Sequence, residues 1–237
     1  MKNRSLQISL DSSHLRGSVA VSDHSGLLSG VFFDASDTHS ATLLPAVDSS
    51  LRMAGVELSE IESFAVVIGP GSFTGLRIGL STIKAFASVR QKPVYTVSSL
   101  ELLASAFPYC QLPVASIIDA RRNEVYFALY STGSGMPEEI VAPGAVKPAE
   151  ISGIVSSRCG SRKVIACGTG ACRYREIFSS RGIIFADINR TYPSASLMAA
   201  LTDGSRPVDF EQLAGLEPLY IRPPDARPSV KLMDKRG

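Results

Sequence analysis

Apolar positions in the first third of the chain come in short runs broken by turn-forming residues. Ser5–Leu10, Gly17–Val21 and Leu27–Phe33 read as strands, the last two separated by Asp23-His24-Ser25-Gly26. Three strands joined by short turns predict a meander. The period then becomes helical: Leu43, Leu44, Val47, Leu51 and Ala54 share one face, with Asp37-Thr38 as N-cap and Gly55 as C-cap. Phe64–Ile68 is an unbroken apolar run, the mark of a strand buried on both faces. The glycine-rich segment Gly69–Gly75 follows and leads into a predicted helix over Thr74–Arg90. On that helix Leu76, Leu80, Ile83 and Ala87 should face the core, while Arg77, Ser81, Lys84 and Ser88 form a polar stripe. Val94–Val97 reads as a strand and Ser99–Phe107 as a helix.

A second round begins at Pro113. Val114–Ile118 and Val125–Tyr130 read as strands, and Ser131–Pro148, broken by prolines and glycines, reads as loop. A helix is predicted over Ala149–Ser156, strands at Lys163–Cys167 and Ile183–Phe185, and a helix at Ala195–Leu201. The fold class is α/β, with two tandem lobes built on mixed sheets. Lobe 1 spans residues 1–100 and lobe 2 spans 101–216, the helix near 194–203 packing back on lobe 1. Four prolines after Glu217 exclude regular structure, so 217–237 is expected to be an extended, mobile tail.

Composition narrows the function classes without choosing one. With 45% hydrophobic and 19% charged residues, the chain can fill a core, and its formal charge of +2 announces no nucleic-acid binder. Direct tRNA binding by this chain is therefore not expected. Cys110, Cys159, Cys167 and Cys172 form no CxxC pattern and have no paired histidines nearby, which argues against zinc. The N-terminus lacks the apolar run of a signal peptide, and no stretch reaches the ~20 apolar residues of a membrane span, so a cytoplasmic protein with no membrane partner is expected.

The glycine-rich turn carries the candidate chemistry. A buried strand entering a helix through glycines exposes consecutive N–H groups at a helix N-terminus, where anions are favoured. Gly69, Gly71 and Ser72 are then phosphate-cradle candidates. The segment lacks GK[ST] and is not GxGxxG, so it is neither a P-loop nor a dinucleotide fingerprint. Gly75 and Gly79 lie four apart on one helix face and equally well permit close approach of another helix. Motif physics leaves both readings open.

Gly69-Pro-Gly-Ser-Phe-Thr-Gly-Leu-Arg-Ile-Gly79 resembles the signature of the TsaB family. Supporting segments follow in order: Asp37-Thr-His-Ser40 leading to Leu44-Pro45, Pro93–Leu100, Ile118–Tyr126, Cys167-Gly-Thr-Gly170 and Glu217-Pro-Leu-Tyr-Ile-Arg222. The resemblance covers most of the chain. It implies two ribonuclease-H-like lobes of the actin/sugar-kinase class. It also implies a partner of TsaD, the enzyme that installs threonylcarbamoyl on the adenosine beside the anticodon.

TsaD-type enzymes carry a metal-binding HxxxH after the strand that follows the glycine turn. Aligned here, the two histidine positions fall at Ser99 and Leu103, and serine is a poor ligand and leucine none. The kinase class has a glycine-rich phosphate turn in lobe 2, where this chain has Ala120-Arg121-Arg122-Asn123. The resemblance therefore implies a non-catalytic subunit, with no catalytic residue and no metal site. It would heterodimerise with a TsaD-like enzyme, help recruit a TsaE-like ATPase, and meet tRNA only through the complex. It would need no cofactor of its own, ATP being used by the partner subunits; a homodimer of the isolated chain stays open.

The contact surface expected from the resemblance lies on the first-lobe helices, at His39, Leu43, Gly75, Arg77, Gly79 and Phe86. Asp11 falls where kinases of this class place a magnesium-associated aspartate, and is equally a capping residue. Asp11, Gly69, Gly71, Ser72, Gly168 and Gly170 form the candidate vestigial nucleotide or phosphate set. His14, His24 and His39 are scattered over turn-like segments, and Arg121 is expected to hold Asp119 as an ion pair. The competing functions are an active ATPase or small-molecule kinase and, third, a metallopeptidase, which the missing histidine pair and the lack of HExxH disfavour.

Overall fold

The computed structural model describes residues 5–35, 39–178 and 182–222. The expected N-cap Asp37-Thr38 lies outside them, as do the side chain of His39 and everything beyond Arg222.

The meander forms as the alternation requires. Strands β1 (Gln7–Asp11), β2 (Arg16–Asp23) and β3 (Gly26–Asp34) pair antiparallel in sequence order. Helix α1 (His39–Ala54) leads to β4 (Ser63–Gly69), which lies parallel to β1, and the all-apolar run Phe64–Val67 is fully buried there. Helix α2 (Phe73–Arg90) and β5 (Val94–Ser98) complete a five-stranded sheet in the order β3-β2-β1-β4-β5. The short helix α3 (Ser99–Ala104) then crosses to the second lobe.

There β6 (Val114–Asp119), β7 (Val125–Ser131) and β8 (Glu138–Val146) form another antiparallel meander. After α4 (Ile151–Cys159), strand β9 (Val164–Cys167) pairs parallel to β6. Helix α5 (Thr169–Arg173) precedes β10 (Ile183–Phe185), giving the order β10-β9-β6-β7-β8. Read from the meander edge, the two sheets have the same topology. This is the ribonuclease-H-like fold of the actin/sugar-kinase class.

Strand β8 corrects the reading of Ser131–Pro148 as loop. It is an edge strand with register shifts against β7, so Pro143 needs no second ladder partner and is tolerated. Proline content alone hides such a strand.

One face of the first sheet packs on α1 and α2 through Leu43, Val47, Leu51, Leu80, Ile83 and Ala87. The other face is covered by residues from the far end of the chain: Ala195 and Met198 join Ala20, Ala65, Val97 and Leu102. Met198 opens helix α6 (Met198–Thr202), and Thr202 bonds the buried Gln7 of β1. Val208 bridges to Val94, and Leu213 of helix α7 (Phe210–Leu213) enters the first core. Residues 195–216 thus return to the first sheet.

Candidate functional site

The C-terminal ends of β1 and β4, the start of α2, the β6–β7 turn and residues 219–222 enclose a cleft of about 590 Å³. Its wall from the first lobe is the glycine-rich turn. Ser72 caps α2, its hydroxyl accepting from the Gly75 N–H, and the Ser72 N–H donates to Ser13 O. The turn therefore sits directly on the Ser12–His14 segment that follows β1.

That seating explains the glycines. A Cβ on Gly71 would lie 2.3 Å from the backbone oxygen of Ser13, and one on Gly79 would lie 2.1 Å from Ser12 Oγ and 2.8 Å from the Leu10 side chain. Ser12 Oγ also donates to Gly75 O at 2.8 Å. The small-residue face of α2 is thus filled by this chain's own β1 end, with Gly75 and Gly79 both buried. It is not open to a partner. Leu43 is likewise a core residue, and Phe86 is half-buried against Phe64. Of the expected contact residues whose side chains are described, Arg77 alone is exposed.

Gly168 and Gly170 have the same character in the second lobe. A Cβ on Gly168 would meet Ile117 O at 2.3 Å, and one on Gly170 would meet the Ile117 side chain at 2.8 Å and Asp119 N at 3.1 Å. These glycines let the β9–α5 turn pack on β6. Gly69, at φ +117°, ends β4 in a backbone region that side chains disfavour.

Asp11 is fully buried and does not line the cleft. Its Oδ1 accepts from the Ser13 N–H at 2.9 Å, which is the capping role. Burial pushes its carboxyl up to about 6, partly offset by the bonds from Ser13. His14 lines the cleft; Ser13 Oγ is 2.8 Å from its Nδ1, its ring meets Tyr192 edge-on, and burial pushes it down to about 4. The sequence reading missed this role of His14. Its signal was the unbroken run Asp11-Ser12-Ser13-His14 at a strand end.

The two shifts act oppositely on stability. Between about pH 4 and 6 the folded state keeps a proton on Asp11 that the unfolded chain, with the ordinary value of 3.8, has released. Through Asp11, acidification across that window stabilises the fold. His14 does the reverse: below its ordinary 6.5 the unfolded chain gains a proton that the folded state accepts only near 4, so its contribution falls with pH. Each single variant should unmask the other group. Asp11→Asn should lose up to roughly 3 kcal/mol between pH 6.5 and 4, and His14→Gln should gain a similar amount over the same range. Urea unfolding at four pH values checks this, and equal pH slopes in the two variants would refute it.

At the HxxxH positions, Ser99 is fully buried with its hydroxyl donating to Pro70 O, and Leu103 lies in the core. Both positions have become packing. In the second lobe, Asp119 is held by Arg173 at 2.9 Å and not by Arg121 as expected; Arg121 supplies only its backbone N–H. The β6–β7 turn holds Arg121, Arg122 and Asn123 at φ 61°, 51° and 59°, three successive left-handed residues. Arg121 lines the cleft while remaining exposed.

The remaining walls come from Tyr126, Thr169, Tyr192, Tyr220 and Arg222. Thr169 Oγ1 accepts from the Asp119 N–H. Glu217–Arg222 has no regular structure, as expected, yet it is tied to the body: the Leu219 N–H donates to Ile68 O, and Arg222 pairs with Glu124. The rest of the expected mobile tail, beyond Arg222, lies outside the described residues.

Comparison with known proteins agrees with the geometry. Residues 33–187 match the family model described as TsaD: tRNA N6-adenosine threonylcarbamoyltransferase. A Bacillus subtilis protein named tRNA threonylcarbamoyladenosine biosynthesis protein TsaB is 30% identical over 188 residues, covering 78% of this chain and 80% of that one. The structure of YeaZ from Pseudomonas aeruginosa superposes with a TM-score of 0.77 at 29% identity, covering 91% of this chain and 99% of that one. The ethanolamine utilization protein EutJ from Carboxydothermus hydrogenoformans, at 13% identity and a TM-score of 0.53 over 83% of this chain and 89% of that one, shares the fold. Motif order, duplicated topology and matches along most of the chain agree: it belongs to the TsaB family, relatives of the threonylcarbamoyltransferase TsaD.

Proposed function

We propose that this chain is a non-catalytic subunit required for threonylcarbamoylation of the adenosine beside the anticodon in tRNAs that read codons starting with A. It acts by heterodimerising with a TsaD-like transferase, whose active form it stabilises, and by helping to recruit a TsaE-like ATPase. The observation that carries this reading is the conversion of the HxxxH positions to Ser99 and Leu103, both turned into buried packing within an intact TsaD-like frame. The buried position of Asp11, bonded to Ser13 and away from the cleft lining, takes support from the kinase alternative. The chain itself then needs no cofactor, and tRNA and ATP are handled by its partners in the cytoplasm.

The docking surface is the exposed side of α1 and α2. Its apolar members are Leu44 (54% exposed) and Met53 (70%) on α1 and Val89 (82%) on α2, and Arg77 is also exposed on α2. Exposed large apolar side chains on neighbouring helices favour a protein partner. The test is genetic. Depleting this chain in its own cell should remove threonylcarbamoyladenosine from bulk tRNA, measured by mass spectrometry of nucleosides, and a plasmid copy should restore it. Undiminished modification after depletion would reject the reading.

A further inference from the structure

The motif Glu217-Pro-Leu-Tyr-Ile-Arg222 is not explained by the α1–α2 docking surface, yet it makes contacts on both sides of the cleft. On the first lobe, Lys84 Nζ holds the carbonyls of Ala214 and Leu216, which fixes the start of the segment. The Leu219 N–H donates to Ile68 O at 2.7 Å, at the last turn of β4 before the glycine-rich segment. Tyr220 stacks on Phe73 at 5.3 Å, and its hydroxyl accepts from Arg77 Nε at 3.1 Å, while the Arg77 guanidinium lies 4.1 Å over the Phe73 ring. Two residues later the chain is on the second lobe. Arg222 donates to Glu124 Oε2 at 2.6 Å and to Ala120 O at 3.2 Å, gripping the left-handed β6–β7 turn from both ends.

At the base of the cleft the lobes are joined by α3, whose Leu100, Leu103 and Ala104 pack with Val114, Ile118 and Tyr130. The lobes are joined again where the chain returns to the first lobe, Tyr192 meeting His14 and Arg16, and a body joined at these places can open wherever nothing further spans the cleft. Residues 219–222 span it, and Leu219, Tyr220 and Arg222 form part of the cleft wall. We propose that Glu217–Arg222 is an interlobe latch: anchored on β4 and α2, it clasps the second-lobe turn through Arg222 and holds the cleft closed. The Arg222–Glu124 pair is the catch, being charge-assisted and partly withdrawn from water, with side-chain exposures of 24% and 37%. The latch meets the proposed docking surface at Arg77, through Tyr220, and its catch at Arg222 needs no partner.

Hydrogen–deuterium exchange and small-angle scattering on the full isolated chain test it. Arg222→Ala should raise exchange about tenfold at Leu219 and in the cleft-lining segments 70–76 and 118–126, with the sheet cores unchanged, as a local opening demands. The radius of gyration should rise with it. The charge swap Arg222→Glu with Glu124→Arg should return both measurements toward the wild type, whereas Arg222→Glu alone should open the cleft further. Unchanged exchange in Arg222→Ala, or faster exchange confined to residues next to 222, would overturn the latch. So would a charge swap that behaves like Arg222→Glu alone.

Discussion

Gly168→Ala is expected to lower the stability of the fold by about 3–5 kcal/mol, through a Cβ forced into the backbone and a backbone angle that side chains disfavour. The added atom would lie 2.3 Å from Ile117 O, a carbonyl fixed within the second sheet, and the residue sits at φ +98° and ψ 171°. Neither cost can be relieved by rotating a side chain. For a chain of this length the melting temperature should fall by roughly 10 °C. Gly153→Ala is the control: it lies in α4 with nothing within 4 Å of its added Cβ, and should stabilise by roughly 0.5–1 kcal/mol. Thermal denaturation of both variants decides the matter. If Gly168→Ala melts within about 2 °C of the wild type, the packing account of the Cys167–Gly170 motif is wrong.

The second large effect concerns the partner. Leu44→Arg and Arg77→Glu, both at exposed positions, should each reduce affinity for the TsaD-like enzyme about a hundredfold, the loss expected for a central interface residue, and Leu44→Arg should leave the melting temperature unchanged. Binding titration with the purified enzyme reads the effect, and wild-type affinity in both variants would move the docking surface elsewhere. Arg77 also touches Tyr220, so Leu44→Arg is the cleaner probe. Gly79→Arg would be uninformative here. Its side chain would enter the space held by Ser12 and Leu10, and lost binding would report a damaged fold.

The difference between Gly79 and Arg77 shows what was legible in the chain. Helical periodicity placed Leu76, Leu80, Ile83 and Ala87 in the core and Arg77, Ser81 and Ser88 in solvent, and the structure agrees. Periodicity could also put Gly75 and Gly79 on one face. It could not say what fills that face, because the filler comes from Ser12 and Leu10, more than sixty positions earlier. Asp119 illustrates the same limit: its cation is Arg173 on α5 and not the neighbouring Arg121. Strand β8 was hidden for a different reason, since an edge position removes the penalty that makes proline a strand breaker.

By itself the sequence determined the strand and helix order of the first lobe and that of the second apart from β8 and α5, the buried stripe of α2, the family, and the loss of histidine at positions 99 and 103. These rest on local periodicity, turn chemistry and residue identity, which need no knowledge of what lies across the fold. Only the tertiary structure decided that the glycines serve packing within the chain, that Asp11 is buried away from the cleft lining while His14 is at its wall, and that Val208 and Leu213 join the first lobe. It alone placed Arg222 on Glu124 across the mouth of the cleft. Each of these is a contact between segments distant in sequence, fixed by which surfaces must be buried together once the two sheets have formed.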